Sequence, residues 1–352
     1  MANPNMSGGD RVCAIYAQKL NALGHKVNII APKKRFLSIK HQIKRLLKGG
    51  EWVSKKKQAQ NHFDLLGLAV TYCNDFAPVK SQDVIDADIV IATWWETIEW
   101  VCKFQKSKGV KVHFVQGYDL YNRVSISSRI ECAWQYPMHK ITIANWLVDI
   151  IRKDFLQESV SLVPNSVALE QFYANQRTKQ VIPTVGFLFS EIELKGVRVA
   201  LKVIQGLKER VPSLRVVAFG TRPPVDISVP DYVELNINPP QDEIRLLYQQ
   251  CDLWLCCSLS EGFGLTILEA MACRVPAVST KCGGPEDIVT DASNGYLCDV
   301  NDVECLTSAA HKVLSFSDEE WLAFSDKAYQ HASEYTWDDA AKLFEEALQK
   351  IK

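Results

Sequence analysis

The chain reads as an α/β protein built from two Rossmann-like domains, each a parallel sheet covered by helices on both faces. Three observations carry that reading. Short, almost continuously apolar runs rich in β-branched residues alternate with longer helical stretches, as strands buried on both faces require. The runs fall into two series of similar length. And 352 residues exceed what one hydrophobic core usually holds.

The first series comprises Val27–Ile30, Leu66–Tyr72, Ile89–Thr93, Val110–Gln116, Ile141–Ala144 and Leu162–Val163. The second comprises Thr184–Phe189, Leu214–Phe219, Tyr232–Leu235, Leu253–Cys257, Ala277–Ser279 and Tyr296–Cys298. A linker near Glu170–Pro183 separates them, which sets the domains at 1–170 and 171–336. Trp337–Ile351 reads as one amphipathic helix, with Trp337, Ala341, Phe344, Leu348 and Ile351 on a single face. Its first-turn acids, Asp338 and Asp339, and its terminal Lys350 and Lys352 suit the helix dipole. The helix is expected to pack back toward the first domain.

The beginning departs from this pattern. A glycine pair, Gly8-Gly9, precedes the helical stretch Arg11–Leu23, and a doubly wound domain places a central strand before such a turn. Only Met1 to Met6 are available there, and Asn3 and Pro4 are poor strand formers. The sequence therefore predicts a first domain without its first strand, as a misplaced start or a truncated chain would produce.

Composition narrows the class. No apolar run approaches a membrane span, and the N-terminus lacks the apolar centre of a signal peptide. Eleven scattered cysteines, with no Cys-x-x-Cys and no Cys/His cluster, favour reduced thiols in a cytoplasmic setting over a disulfide framework or zinc site. The formal charge of −1 hides an asymmetry: Lys33 to Lys57 contains ten Lys/Arg and one acid, Glu51. The remainder carries 30 basic against 40 acidic residues, which argues against nucleic acid as a partner. Within the basic stretch Phe36, Ile39, Ile43, Leu46 and Leu47 recur at helical spacing. Such a helix either lies on an anionic membrane surface or packs on its own domain.

The chemistry is concentrated in Glu261-Gly262-Phe263-Gly264-Leu265-Thr266-Ile267-Leu268-Glu269. A buried-looking strand runs through a glycine turn into an apolar helix, so free amides and the helix dipole converge on an anion site. Two carboxylates beside it would repel a bare phosphate. A diphosphate flanked by hydroxyls resolves the conflict, because amides hold the phosphates while carboxylates accept from the hydroxyls. That ligand is a nucleotide sugar.

This stretch, continued by Ala270-Met271-Ala272, Pro276-Ala277-Val278, Gly283-Gly284-Pro285-Glu286 and Asn294-Gly295-Tyr296-Leu297, resembles the signature of family 4 retaining glycosyltransferases of the GT-B fold. The resemblance implies two domains facing a cleft, the N-terminal one for the acceptor and the C-terminal one for the donor. It implies that Glu269 binds the nucleotide ribose, Glu261 a donor-sugar hydroxyl, and the backbone of Gly262 to Leu265 with the Thr266 hydroxyl the sugar and diphosphate. Lys195, followed by Gly196, would neutralise the departing diphosphate. Ser190 stands where relatives often carry an arginine, which leaves Lys195 more of that task. Gly8 and Gly9 would close on the donor, and Gly220 would approach the base. Lys195 and Glu261 are thus the expected catalytic pair.

Gln116 stands where many members of that family carry a histidine for the sugar's 6-hydroxyl. With Tyr118 and Asp119 it looks like the subgroup that transfers rhamnose, a 6-deoxy sugar. Trp94 and Trp95 end a strand and either stack on an acceptor or pack in the core. Asp86-Ala87-Asp88 has the form of a metal site but precedes a strand, the wrong end for ligands.

The expected function is therefore a retaining, metal-independent transferase that needs no cofactor. It would move sugar from a nucleotide diphosphate sugar to a glycan or lipid-linked acceptor in surface polysaccharide synthesis. The expected location is cytoplasmic, peripheral on the inner face of the plasma membrane through residues 33–57. An inactive nucleotide-sugar-binding or scaffold subunit, and an epimerase or hydrolase of the same fold, remain open alternatives.

Overall fold

The structure, a computed structural model, describes residues 1–47, 52–55, 60–118 and 126–351, with residue 45 described by its backbone alone. It divides into two compact units. Residues 1–165 with 337–352 form the first, and 166–336 form the second. The division falls at Asn165 rather than at 170. Residues just beyond it pack into the second unit: Ser166 Oγ donates to the Tyr335 carbonyl at 2.6 Å, and buried Phe172 meets Tyr248 edge-on.

In the second unit all six strands are parallel: β7 (Thr184–Leu188), β8 (Arg215–Gly220), β9 (Val233–Ile237), β10 (Leu253–Cys256), β11 (Ala277–Thr280) and β12 (Gly295–Cys298). Their spatial order is β12-β11-β10-β7-β8-β9. The chain thus builds outward from β7 in one direction and then from β10 in the other, which makes the β7/β10 junction a topological switch point. β10 and β11 are buried at every position, β10 as an unbroken apolar run and β11 with the buried hydroxyl residues Ser279 and Thr280 at its end. Val197–Arg210 forms helix α7, which lays Val197, Ala200, Val203, Ile204 and Leu207 into the core beside Trp321 and Phe324.

Two strand groups make up the first unit. β1 (Ile29–Ala31) pairs with β2 (Val70–Tyr72), while β3 (Ile89–Ala92), β4 (Val110–Val115), β5 (His139–Thr142) and β6 (Val160–Leu162) form a separate parallel sheet in that order. Among the described residues no strand joins β1 to β3. Helix α1 (Gly8–Ala22) begins at the glycines themselves, with the Ser7 side chain accepting from the Asp10 amide at 3.3 Å. Gly8 and Gly9 are therefore the first helical turn and not a loop before it. The C-terminal helix α13 (Trp337–Gln349) packs on α1, where Tyr16 meets Trp337 edge-on and Phe344 at 4.5 Å between ring centroids.

Helix α2 (Ile39–Leu47) exposes its apolar side: Ile39 is 70% and Leu47 84% exposed, and Ile43 and Leu46 are nearly half so. It therefore does not cover the domain with that side. No helix of the described residues is long and apolar enough to cross a membrane. Cys298 and Cys305 form a disulfide across the turn from β12 to the next helix, with Cα atoms 5.9 Å apart. The expectation of uniformly reduced thiols is corrected at this one pair, which the tight turn brings together; the other nine cysteines are free.

Candidate functional site

The loops after β7 and β10 meet at the switch point. Lys195 closes the first loop and Glu261 the second, and Lys195 Nζ lies 2.7 and 2.9 Å from the two oxygens of Glu261. Backbone geometry holds them there. The Leu259 amide donates to the Leu194 carbonyl at 2.8 Å, which ties one loop to the other. Gly196 adopts φ +60°, and a Cβ there would stand 1.8 Å from the Cys257 carbonyl oxygen. Only glycine permits that approach, so the residue after the lysine fixes where the lysine points.

Glu261 is anchored on every side. Buried Ser258 donates to its Oε1 at 2.8 Å, its amide donates to the Cys282 carbonyl, and its carbonyl accepts from Gly284. Burial alone would lower the pKa of Lys195; the Glu261 carboxylate outweighs it and raises the pKa above its ordinary value. The lysine is therefore cationic throughout the neutral range.

Gly262 and Gly264 then turn the chain into helix α9 (Leu265–Ala272), with Gly264 as its cap at φ +102°. The amides of Leu265 and Thr266 open the helix and have no acceptor within it, so the positive end of the dipole starts beside Lys195 and Glu261. Leu265 and Thr266 are partly exposed. The Phe263 side chain is buried instead, and the Gly284 Cα packs so tightly on the Phe263 backbone that a Cβ would come within 2.2 Å. About one turn into α9, Glu269 is buried and accepts from the Tyr248 hydroxyl at 2.9 Å. Tyr248 in turn packs on Trp254 and Phe219.

Lys195 and Glu261 thus meet side chain to side chain, and Gly262, Gly264, Leu265, Thr266 and Glu269 follow Glu261 along one turn and helix of the same unit. Gly220 ends β8 and is buried; it is glycine because a Cβ would stand 2.4 Å from the Phe189 carbonyl oxygen, a packing demand. Ser258 and Tyr248 were missed. Ser258 precedes Glu261 by three residues and could have been found from that spacing. Nothing local marks Tyr248, which lies 21 residues from its partner.

In the first unit, the Gln116 side chain lies 3.6 Å from where a Gly9 Cβ would be, and its Nε2 approaches Cys13 Sγ at 3.2 Å. Gly8, Gly9 and Gln116 are therefore neighbours. Trp95 is 2% exposed, a core residue under the Arg129 guanidinium, so its expected stacking on an acceptor is corrected: the first turn of its helix faces the core. Trp94 precedes that helix, with its carbonyl accepting from Thr97. Tyr118 packs edge-on against Trp134 and Phe155, and its ring belongs to that cluster. Asp119 lies outside the described residues. Asp86 is held by Lys108 at 2.8 Å before β3.

Residues 168–331 match the family model of glycosyl transferases group 1. That stretch contains the whole Lys195–Glu269 constellation. The D-inositol 3-phosphate glycosyltransferase of Corynebacterium urealyticum is 31% identical over 183 residues, covering 47% of this chain and 43% of that protein. The chain thus spans less than half the length of this curated relative. Anabaena HepE, solved with UDP and glucose, superposes over 99% of this chain and 98% of its own with a TM-score of 0.69 at 14% identity. A glycosyltransferase from Rickettsia africae superposes over 99% and 97% with a TM-score of 0.70 at 15% identity. Likenesses at that identity establish the fold, which is GT-B.

Proposed function

We propose that the chain is a retaining, metal-independent glycosyltransferase that takes sugar from a nucleotide diphosphate sugar. The observation that carries this reading is the Lys195–Glu261 pair beside the start of α9, with Glu269 about one turn further along the same helix. A cation and free amides suit a diphosphate, and the two carboxylates suit hydroxyls on either side of it. The family match over this stretch and the relatives' names support the same class.

The leaving group does the difficult part of the chemistry. As the bond from sugar to diphosphate breaks, negative charge grows on the departing phosphate, and Lys195 with the Leu265 and Thr266 amides meets it. Lys195 divides its charge between that phosphate and Glu261, while Glu261 accepts from a hydroxyl of the sugar. Glu269, already holding the Tyr248 hydroxyl, accepts from the ribose. No covalent nucleophile is assigned. The acceptor hydroxyl attacks from the face the phosphate leaves, passing its proton to that phosphate, so the anomeric configuration is kept. The charge is met by Lys195 and backbone, so turnover is expected to continue in EDTA.

The finer reading is rhamnosyl transfer to a glycan or lipid-linked acceptor in surface polysaccharide synthesis. Gln116 beside Gly9 supports the donor half of it: a glutamine in place of a histidine suits a sugar without a 6-hydroxyl. The exposed apolar side of the basic helix α2 supports a peripheral, cytoplasmic-face enzyme whose acceptor is in the membrane. The test is a panel of nucleotide sugars in EDTA, with release of nucleoside diphosphate as the readout. Turnover of at least one donor is expected, with deoxy-hexose donors preferred. A panel that yields binding without release in the presence of varied acceptors would instead favour a binding subunit.

A further inference from the structure

Lys195 takes its place from the loop that follows β7, and that loop is held from two sides. On the β10 side the Leu194 carbonyl accepts from Leu259, and Gly196 lies against the Cys257 carbonyl. On the β8 side the backbone ladder closes with the Phe189 amide, which donates to the Phe219 carbonyl at 2.8 Å. Beyond that bond, side chains join the loop after β7 to the loop after β8.

Glu191 makes the main junction. Its Oε1 accepts from three consecutive amides, Val225 at 2.8 Å, Asp226 at 2.7 Å and Ile227 at 3.0 Å. Consecutive amides turned toward one point form a concavity that suits an anion, and Glu191 fills it with its own carboxylate. Arg198, in the first turn of α7, reaches the same segment, with Nη2 donating to the Asp226 carbonyl at 3.4 Å. The segment is itself anchored, because Ile227 is buried in one core with Val197 and Val233. Burial alone would raise the pKa of Glu191; the three amides, with Arg198, outweigh it and hold it below the ordinary glutamate value. Glu191 is therefore a carboxylate in the neutral range, and its bonds to the amides are charge-assisted.

The placement of Glu191 along the chain gives this junction its meaning. A glutamate serving only to cap the loop after β8 could stand anywhere within reach of those amides. This one stands four residues before Lys195, and Arg198 stands three after it, so the lysine is bracketed by two ties to one short segment. A single turn separates Glu191 from the lysine: the Ile192 amide donates to the Ser190 hydroxyl, and the Lys195 amide donates to the Ile192 carbonyl at 2.8 Å. A shift at Glu191 thus passes directly to the ammonium.

We propose that Glu191 is a positioning residue for the transfer: by anchoring the Lys195 loop to the amides of residues 225–227, it sets where the lysine meets the departing phosphate. The proposal rests on the diphosphate role given to Lys195. Lys195 supplies the charge and Glu191 supplies its place. A misplacement of about 1 Å near a reacting centre costs about 100-fold in rate, so a tie of this kind is visible in turnover.

The test combines kinetics with amide hydrogen exchange. Glu191→Ala should lower kcat by about 10-fold or more with a smaller change in the donor KM, and Glu191→Gln, which keeps an oxygen for the amides, should lose less. In a Lys195→Met background, Glu191→Ala should change kcat by less than about twofold, because the group it positions is gone. Equal fold losses in the two backgrounds, or no loss with Lys195 present, overturn the proposal. Exchange needs no turnover: Glu191→Ala should speed it by about 10-fold or more at residues 225–227 and also at Leu259, whose partner is the Leu194 carbonyl. Faster exchange confined to residues 225–227 overturns the proposal. If the wild type turns over no donor, the donor reading fails, and exchange at Leu259 alone decides whether Glu191 places the Lys195 loop. If Glu191→Ala does not fold, Glu191→Gln is read in its place, with the same two outcomes.

Discussion

Lys195 and Glu261 hold each other at 2.7 Å, and this limits which substitutions are informative. Removing Glu261 outright would leave a desolvated ammonium without its partner, a change that destabilises as well as inactivates. Glu261→Gln keeps the shape and the Ser258 contact. It is expected to lower kcat more than donor affinity, whereas Lys195→Met should lower kcat by about 10²–10³-fold through loss of leaving-group stabilisation. Steady-state kinetics on the best donor checks both. Glu269→Gln should act differently and weaken nucleotide binding by about 10-fold or more, since a charged acceptor becomes a neutral one. Transfer that survives all three substitutions contradicts these assignments. At this scale the sequence was informative where chemistry and backbone demand coincide. Glu261 could be named from the glycine turn that follows it, and Lys195 and Glu269 through the family resemblance. Tyr248 could not, because a hydroxyl supplied from another helix leaves no mark near the residue it serves. Trp95 misled because a tryptophan opening a helix serves packing as readily as a ligand.

At the scale of elements, the strand pattern was legible nearly residue by residue in the second unit. Runs such as Leu253–Cys256 and Ala277–Thr280 are buried at every position; the first is apolar throughout, and the second adds only the small hydroxyl residues Ser279 and Thr280. The turn after β7 was legible only in part. Its Lys-Gly pair was visible, but the contact of Gly196 with the Cys257 carbonyl needs the fold. Gly196→Ala forces both a left-handed alanine and a steric collision, and is expected to cost about 2–4 kcal/mol while displacing Lys195. Thermal unfolding and donor titration of that variant measure the two effects.

β5 carries a second element-scale expectation. Lys140 is buried, and desolvation lowers its pKa to about 8. A lysine depressed in the folded state contributes stability above its unfolded pKa of about 10.4 and loses that contribution as pH falls toward 8. Between pH 8 and 10 the stability of the wild type relative to Lys140→Met should therefore rise with pH. Denaturant unfolding at several pH values checks the sign. Helix α2, with its exposed Ile39, Ile43, Leu46 and Leu47, predicts salt-sensitive sedimentation with anionic vesicles that Lys40→Glu with Lys44→Glu removes.

For the whole molecule, the division into two parallel-sheet units followed from the repeated alternation of apolar runs and helices. The expectation of a first domain without its first strand rested on Asn3 and Pro4. What the sequence could not convey is that the described strands of the first unit form two groups, with an apolar cavity of about 620 Å³ lined in part by residues of helices α1 and α13. The assignment of the diphosphate and ribose contacts does not depend on that region: Lys195, Glu261, the Leu265 and Thr266 amides and Glu269 all lie within one unit. The most direct measurement is calorimetric titration of nucleotide diphosphate sugars in EDTA, on the wild type, Lys195→Met and Glu269→Gln. At least one donor should bind the wild type without metal, and each substitution should weaken that binding. Failure of every donor to bind, or binding that both substitutions leave unchanged, would contradict the account.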